Sequence, residues 1–273
     1  MPASPPDRYA VLGHPVAHSQ SPFIHAQFAR QTGQHIDYGR IDCPLDGFEA
    51  TVRQFIASAN PAAGLGPARG CNITVPFKFD VLPLASQLTP RAALAQAANV
   101  LRFDEGGWLA DNTDGMGLVR DIQQHASQPL AGTRVLLIGA GGAAAGVLGP
   151  LIEAGCSAVT VANRTVDKAT RLAHRHASWA EQHGTHLSAT ALADAGEAFD
   201  VVINSSASSL AGANVPVHPR VLRPGTLAVD LMYGSAARLF IDWAAAHGAT
   251  GRDGLGMLVE QAAGAFALWR GVW

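Results

Sequence analysis

Lysine is almost absent from this sequence: Lys78 and Lys168 stand against seventeen arginines in 273 residues. A guanidinium stays protonated, whereas a lysine ammonium can be tuned to exchange its proton. Lys78, inside the run Asn72-Ile73-Thr74-Val75-Pro76-Phe77-Lys78, is therefore a candidate for acid–base chemistry. Charge is scarce as well. With 15% charged residues, a formal net charge of −2 and no basic stripe, the chain lacks what a nucleic-acid surface requires. Cys43, Cys71 and Cys156 are odd in number, widely spaced and free of any CxxC pair, which excludes a disulfide framework and a zinc site and points to reduced thiols in the cytoplasm. Residues 135–152 are uncharged, but Gly139, Gly141, Gly142, Gly146, Gly149 and Pro150 interrupt them, so a strand, a glycine turn and a helix are expected there and no membrane span. Residues 1–8 have neither the basic nor the apolar region of a signal peptide and are expected to form a loose leader.

What is present is a chain 48% hydrophobic and long enough for two domains. Residues 9–12 form an apolar run closed by Gly13, His14 and Pro15, the pattern of a strand that turns sharply. Ser21 suits an N-cap and Pro22 the first helical position, so a helix is predicted over residues 22–32, stopped by Gly33. The positive end of that helix, with the Ser19 and Ser21 hydroxyls beside it, suits a carboxylate or a phosphate. His14, His18 and His25 have no carboxylate at ligand spacing, and no metal site is expected. His174, His176, His183 and His186 are expected on exposed helix and loop. Strands are predicted over residues 69–75, 98–103 and 108–110, and Asp111-Asn112-Thr113-Asp114-Gly115 opens a further helix. Strand, polar residue and helix recur, which predicts an open α/β sheet with polar side chains at its carboxyl edge.

Residues 134–138 form a buried-strand pattern that runs into Gly139-Ala140-Gly141-Gly142-Ala143-Ala144-Ala145-Gly146 and an apolar helix. Gly139 is predicted to make the turn, Gly141 to let a pyrophosphate approach the backbone, and Ala144 to allow helix–strand packing, the dinucleotide fingerprint in its required context. The next strand, residues 158–162, ends in Asn163-Arg164-Thr165. An acid there would repel a ribose 2′-phosphate and Arg164 would pair with it, which favours NADP over NAD. Lys168 follows within reach. Strands are also predicted at 200–204 and 226–233, with loops at 205–209 and 232–234.

The ordered set of segments resembles the shikimate dehydrogenase family. It comprises Gly13-His14-Pro15-Val16-Ala17-His18-Ser19-Gln20-Ser21-Pro22, the run ending in Lys78, Ala98-Asn99, the Asp111 to Gly115 cluster, the glycine loop, Asn163-Arg164-Thr165, and Asp253-Gly254-Leu255-Gly256-Met257-Leu258-Val259-Glu260-Gln261-Ala262. The resemblance implies NADPH-dependent reduction of 3-dehydroshikimate to shikimate, with a quinate/shikimate dehydrogenase preferring NAD and a non-catalytic NADP-sensing regulator as the alternatives. It implies that Ser19 and Ser21 hold the substrate carboxylate with Tyr233 near that end, that Thr74, Asn99, Asp111 and Gln261 bind ring hydroxyls, and that Lys78 and Asp111 form the catalytic pair. Gly139, Ala140, Gly141, Gly142, Ala143, Asn163, Arg164, Thr165, Lys168, Met232 and Gly254 are implied to hold NADP. The family often has a polar pair where this chain has Ala144-Ala145 and an arginine at Lys168, so the 2′-phosphate is expected to rest on Arg164, Thr165 and Lys168. The chain also ends at Trp273, where relatives commonly continue into another helix.

The expected fold is α/β in two domains: a discontinuous substrate domain, residues 1–112 plus 252–273, and a Rossmann-type, doubly wound NADP-binding domain, residues 113–251. Substrate is expected in a cleft between them that closes during the reaction. The expected partner is a small molecule, with neither nucleic acid nor membrane involved and a homodimer as the candidate assembly.

Overall fold

The computed structural model describes residues 4–206 and 215–272. The chain divides into two compact units, Met1–Thr113 with Gln261–Trp273, and Asp114–Glu260. The sequence returns the chain to the first unit near residue 252. The return falls instead at Gln261, because Arg252 stays in the second unit, ion-paired with the fully buried Asp121.

The first unit holds a six-stranded sheet in the order β2-β1-β3-β5-β6-β4. Its elements are β1 (Asp7–Gly13), α1 (Ser21–Thr32), β2 (Ile36–Asp42), α2 (Phe48–Ala57), β3 (Ala68–Ile73), β4 (Gln87–Leu88), α3 (Pro90–Ala95), β5 (Val100–Asp104) and β6 (Gly107–Asp111). β1 runs parallel to β2 and β3, whereas β5 is antiparallel to both β3 and β6. That mixture decides where the polar residues go. β6, reversed twice relative to β3, ends at the same edge as β3, and the start of β5 lies there too. Thr74 after β3, Asn99 before β5 and Asp111 at the end of β6 therefore gather at one edge, together with the loop after β1. Leu12, Val52, Cys71, Ile73, Phe77 and Leu101 build the core beneath.

The second unit contains α4 (Asp114–Arg120), β7 (Arg134–Ile138), α5 (Gly142–Glu153), β8 (Ala158–Asn163), α6 (Val166–Gln182), β9 (His186–Ala191), β10 (Val201–Asn204), β11 (Leu227–Asp230), α7 (Arg238–Ala246) and β12 (Thr250–Arg252). α8 (Leu255–Arg270) leads back into the first unit. All six strands are parallel, in the order β12-β11-β10-β7-β8-β9. This is a doubly wound sheet whose direction of winding reverses between β7 and β10, the place where such folds bind ligands. β10 and β11 are buried along their whole length, as strands covered on both faces must be.

Three expectations are corrected here. Residues 7 and 8 are not leader but the start of β1, and Arg8 is buried, its guanidinium donating to the carbonyls of Gly66 at 2.7 Å and Phe55 at 3.0 Å. His186 begins strand β9 rather than lying in a loop. His176 is fully buried, because α6 turns Ala169, Leu172, His176 and Ala180 to one inner face. Of the loop expected at 205–209, residues 207–209 lie outside the described residues. Among the described residues, no helix is long and apolar enough to cross a membrane.

Candidate active site

At the start of α1 the N-cap is Gln20, not Ser21, and it makes no side-chain capping bond. Ser21 is instead the first helical residue. Its backbone N–H donates to Ser19 Oγ at 3.3 Å, and the Ser19 hydroxyl donates to Ser21 Oγ at 3.1 Å. Both serines are buried. Arg40, on β2, donates from Nε at 2.8 Å and Nη2 at 2.6 Å to the Ser19 carbonyl, which holds the turn and brings positive charge to the pair. Thr74 leaves β3 directly against the end of β1: a side chain at Gly13 would place its Cβ 2.3 Å from Thr74 Cγ2, so only glycine permits this approach.

Asn99 is a junction. Its amide donates to Thr113 Oγ1 and to Gln261 Oε1, each at 3.0 Å, while its carbonyl oxygen accepts the Thr113 backbone N–H at 2.8 Å. Two residues predicted from widely separated segments are thus brought side by side. On the other flank, the half-buried Tyr38 donates from its hydroxyl to Asn72 Oδ1 at 2.6 Å, and Asn72 donates to the Asn99 carbonyl at 3.2 Å. Burial pushes the Tyr38 phenol well above its ordinary pKa, so it remains a donor. Lys78 is half-buried in the turn after Phe77, anchored by its own carbonyl, which accepts from Ala98 N–H at 2.9 Å.

Asp111 differs from expectation. The sequence assigns it a ring hydroxyl and the Lys78 ammonium, yet both of its oxygens carry internal partners. Oδ1 accepts from Thr89 Oγ1 at 2.6 Å, Arg91 Nε at 2.7 Å and the Asn112 N–H at 2.7 Å, and Oδ2 accepts from Arg91 Nη2 at 2.5 Å. The carboxylate is fully buried and gripped by the guanidinium in a bidentate fork. Such a fork ties α3 to β6. Asp114, three residues on, is also buried and opens α4. Thr89 and Arg91 went unpredicted, although Thr89-Pro90 is an N-cap followed by proline at N1, the signature that marks α3.

His25 sits one turn below Ser21 on the same face of α1, fully buried. Its ring stacks on Tyr38 at 4.2 Å and 8°, with Phe28, Phe266 and Trp269 around it. Among the described residues neither ring nitrogen has a partner at full hydrogen-bond geometry, the Asn72 side chain being the polar group that approaches the ring. An unsatisfied buried polar group costs about 1–3 kcal/mol, so an aromatic cage alone would be better filled by phenylalanine. Burial lowers the His25 pKa to about 3, and the neighbouring Asn72 side chain acts in the opposite direction.

In the second unit Gly139 adopts φ +110°, and a Cβ there would lie 2.6 Å from Ser205 Oγ. It makes the predicted turn. Gly141 is the N-cap of α5, without a side-chain cap, and among the described residues nothing lies within 4 Å of where its Cβ would be. Asn163 Nδ2 donates to the Thr165 carbonyl at 2.8 Å and shapes the loop after β8, from which Arg164, Thr165 and Lys168 are all exposed. On the other side of the switch point, Gly254 N–H donates to the Met232 carbonyl at 2.8 Å and Met232 N–H donates to Asp230 Oδ1 at 2.8 Å, which joins the two predicted contributors. Tyr233 follows directly, at the N-cap of the short turn 234–237. Ala140 is half-buried between Gly139 and Gly141. An uncapped helix start, a glycine turn and two cations within one helical turn fit a dinucleotide with an extra phosphate.

Residues 11–101 match the family model for the shikimate dehydrogenase substrate binding domain, residues 121–230 that for shikimate / quinate 5-dehydrogenase, and residues 254–272 that for the shikimate 5'-dehydrogenase C-terminal domain. The shikimate dehydrogenase (NADP(+)) of Methylibium petroleiphilum is 66% identical over 97% of this chain and 90% of its own length. The Ael1 enzyme of Pseudomonas putida is 43% identical, with a TM-score of 0.83 over 97% of this chain and 94% of that one. The Thermus thermophilus shikimate 5-dehydrogenase in complex with NADP(H) and shikimate is 30% identical, with a TM-score of 0.79 over 97% and 94%.

Proposed function

The chain belongs to the shikimate dehydrogenase family, and from that premise we propose that it catalyses the reversible NADPH-dependent reduction of 3-dehydroshikimate to shikimate. It is an NADP-dependent oxidoreductase acting on a CH–OH group. The observation that carries the substrate assignment is the polar edge of the first sheet, where the linked Ser19 and Ser21 hydroxyls and the Asn99–Gln261 pair offer donors and acceptors at separate places on one rim.

In this reading Ser19 and Ser21 hold the carboxylate at the start of α1, with Tyr233 contributing at that end. Thr74, Asn99 and Gln261 bind the ring hydroxyls and fix the orientation of the ring. When bound, the nicotinamide supplies the hydride for the C3 carbonyl. Lys78 donates a proton to the oxygen that develops negative charge at C3, and takes it back in the reverse direction, a general-acid role of roughly 10²–10⁴-fold in rate. Arg164, Thr165 and Lys168 hold the 2′-phosphate, and the Gly139–Ala143 loop takes the pyrophosphate.

The carboxylate partner in proton transfer is open to two assignments within one segment. Asp111 is the residue expected from sequence. Its full set of internal donors favours an anchoring role, and the catalytic role is assigned to Asp114, the buried carboxylate that opens α4. The same proposal keeps the chain a cytoplasmic enzyme with a homodimer as candidate assembly, which sedimentation measures directly.

The test is kcat/KM for NADP reduction with shikimate and with quinate. Quinate adds a tertiary hydroxyl beside the carboxylate. Burying that group without a partner costs about 1–3 kcal/mol, so shikimate should be preferred about 10- to 150-fold. Equal turnover of quinate, or none of shikimate, overturns the proposal.

A further inference from the structure

His25 stands at the meeting point of the elements that build the first unit's polar edge. It lies on α1, four residues after Ser21. Its ring is sandwiched against Tyr38 of β2 and ringed by Phe266 and Trp269 of α8, the helix that carries Gln261. The phenol of Tyr38 in turn donates to Asn72 of β3, and Asn72 donates to the carbonyl of Asn99. One side chain therefore touches the supports of Ser21, Asn72 and Gln261 at once.

Packing explains the ring but not the nitrogens. Among the described residues neither makes a bond of full hydrogen-bond geometry, with only the Asn72 side chain approaching, at an edge whose other polar groups are densely bonded. The Asn72 amide is the polar group beside the ring, and it already has two bonds, one to the Tyr38 hydroxyl and one to the Asn99 carbonyl. A second acceptor and donor standing next to that amide gives it an alternative arrangement.

We propose that His25 is a positioning residue of the substrate site: its ring holds Tyr38, and its nitrogens are the reserve partner of the Asn72 amide when the polar edge rearranges around a bound ring polyol. The role is indirect, because His25 lies beneath Ser21 and reaches the ligand only through Tyr38 and Asn72. It rests on the shikimate assignment above and deepens it by naming what keeps the carboxylate end and the hydroxyl end in register.

The experiment uses the full chain and six proteins: wild type, His25→Phe and His25→Gln, each with and without Tyr38→Phe. Wild-type turnover of shikimate with NADP is measured first, so that failure of the substrate assignment is seen separately from failure of the inference. His25→Phe keeps an aromatic ring and removes the nitrogens. The expected result is a melting temperature equal to or above that of the wild type, a shikimate KM raised at least ~10-fold, and an unchanged NADP KM, because an interaction lost on ligand binding appears in KM for that ligand alone. His25→Gln returns a donor and an acceptor at similar depth and should recover most of the loss. In the Tyr38→Phe background, where the phenol no longer bonds Asn72, His25→Phe should add less than in the wild type, since neighbours in one network are not additive. A shikimate KM within twofold of wild type in His25→Phe overturns the inference, as does an equal rise for shikimate and NADP. Should His25→Phe fail to fold, His25→Leu replaces it as the variant without ring nitrogens: a shikimate KM raised at least ~10-fold with an unchanged NADP KM supports the role, and a shikimate KM within about twofold of wild type refutes it.

Discussion

Replacing Asp111 with asparagine separates anchoring from catalysis. The change is nearly isosteric, but it removes the charge and turns one oxygen into an NH2 group. The wild-type carboxylate accepts four hydrogen bonds, from Thr89, from Asn112 and twice from Arg91. In Asp111→Asn at least one former acceptor becomes a donor facing a donor, and the Arg91 guanidinium loses its counter-charge. Losing one partner of a buried pair costs about 3–5 kcal/mol. Arg91 is 39% exposed, and solvent screening reduces that figure, so about 2–4 kcal/mol is expected. At about 2–4 °C per kcal/mol for a chain of this size, the melting temperature should fall by roughly 5–15 °C. Thermal melting by circular dichroism reads the shift, and steady-state kinetics well below the midpoint reads the activity. For Asp111→Asn, kcat should stay within about tenfold of the wild type, whereas Asp114→Asn should lose ~10²-fold or more in kcat. The opposite pattern, wild-type melting with ~10²-fold loss of kcat in Asp111→Asn, would refute the anchoring assignment and return Asp111 to the catalytic pair.

Lys78→Ala should lower kcat at least ~10²-fold with a much smaller change in shikimate KM, and Lys78→Arg should be nearly as slow because a guanidinium does not release its proton; normal turnover by either folded variant contradicts the role. Arg164→Ala should raise the NADP KM by about 10- to 150-fold, the equivalent of roughly 1.5–3 kcal/mol in a charge-assisted contact, and leave NAD use unchanged; an equal loss with both cofactors would make Arg164 structural. Stability should fall in acid. Burial lowers the pKa of His25 to about 3 and also lowers that of His176, so the unfolded chain binds protons below about pH 6.5 that the folded chain refuses. The stabilisation is fully present above pH 6.5 and declines as pH falls toward 3, with a slope of about 1.4 kcal/mol per unit for His25 in that window. Denaturant titrations at pH 7 and pH 5 should show the decline, and His25→Phe should reduce it; an identical pH dependence in the variant would place the slope elsewhere.

The glycine turn at Gly139 and the strand before it were legible because a parallel central strand buried on both faces is an unbroken apolar run, and its turn demands a positive φ that glycine supplies. β2 and β9 were not. Each is an edge strand with half its surface toward solvent, so Ile36–Asp42 and His186–Ala191 lack the apolar alternation that marks a covered strand. His176 was misplaced because a residue type alone does not say which face of α6 turns inward.

For the site, the sequence by itself named the candidates: Ser19 and Ser21 at the start of α1, the Thr74 to Lys78 run, Asn99, the acidic cluster, the glycine loop, Arg164 and Gln261. Those are local signals, set by turn chemistry, helix ends and residue type. Pairing was decided only in the tertiary structure. Whether Asp111 faces a substrate or Arg91 depends on where α3 docks against β6, and whether His25 has a partner depends on four aromatic rings from α1, β2 and α8 closing around it. Hydrogen bonds and burial act over a few ångströms between residues far apart in the chain, as in the Arg270–Asp7 hydrogen bond across 263 positions. Such distances in space are products of sheet order and helix packing, and no window of sequence contains them.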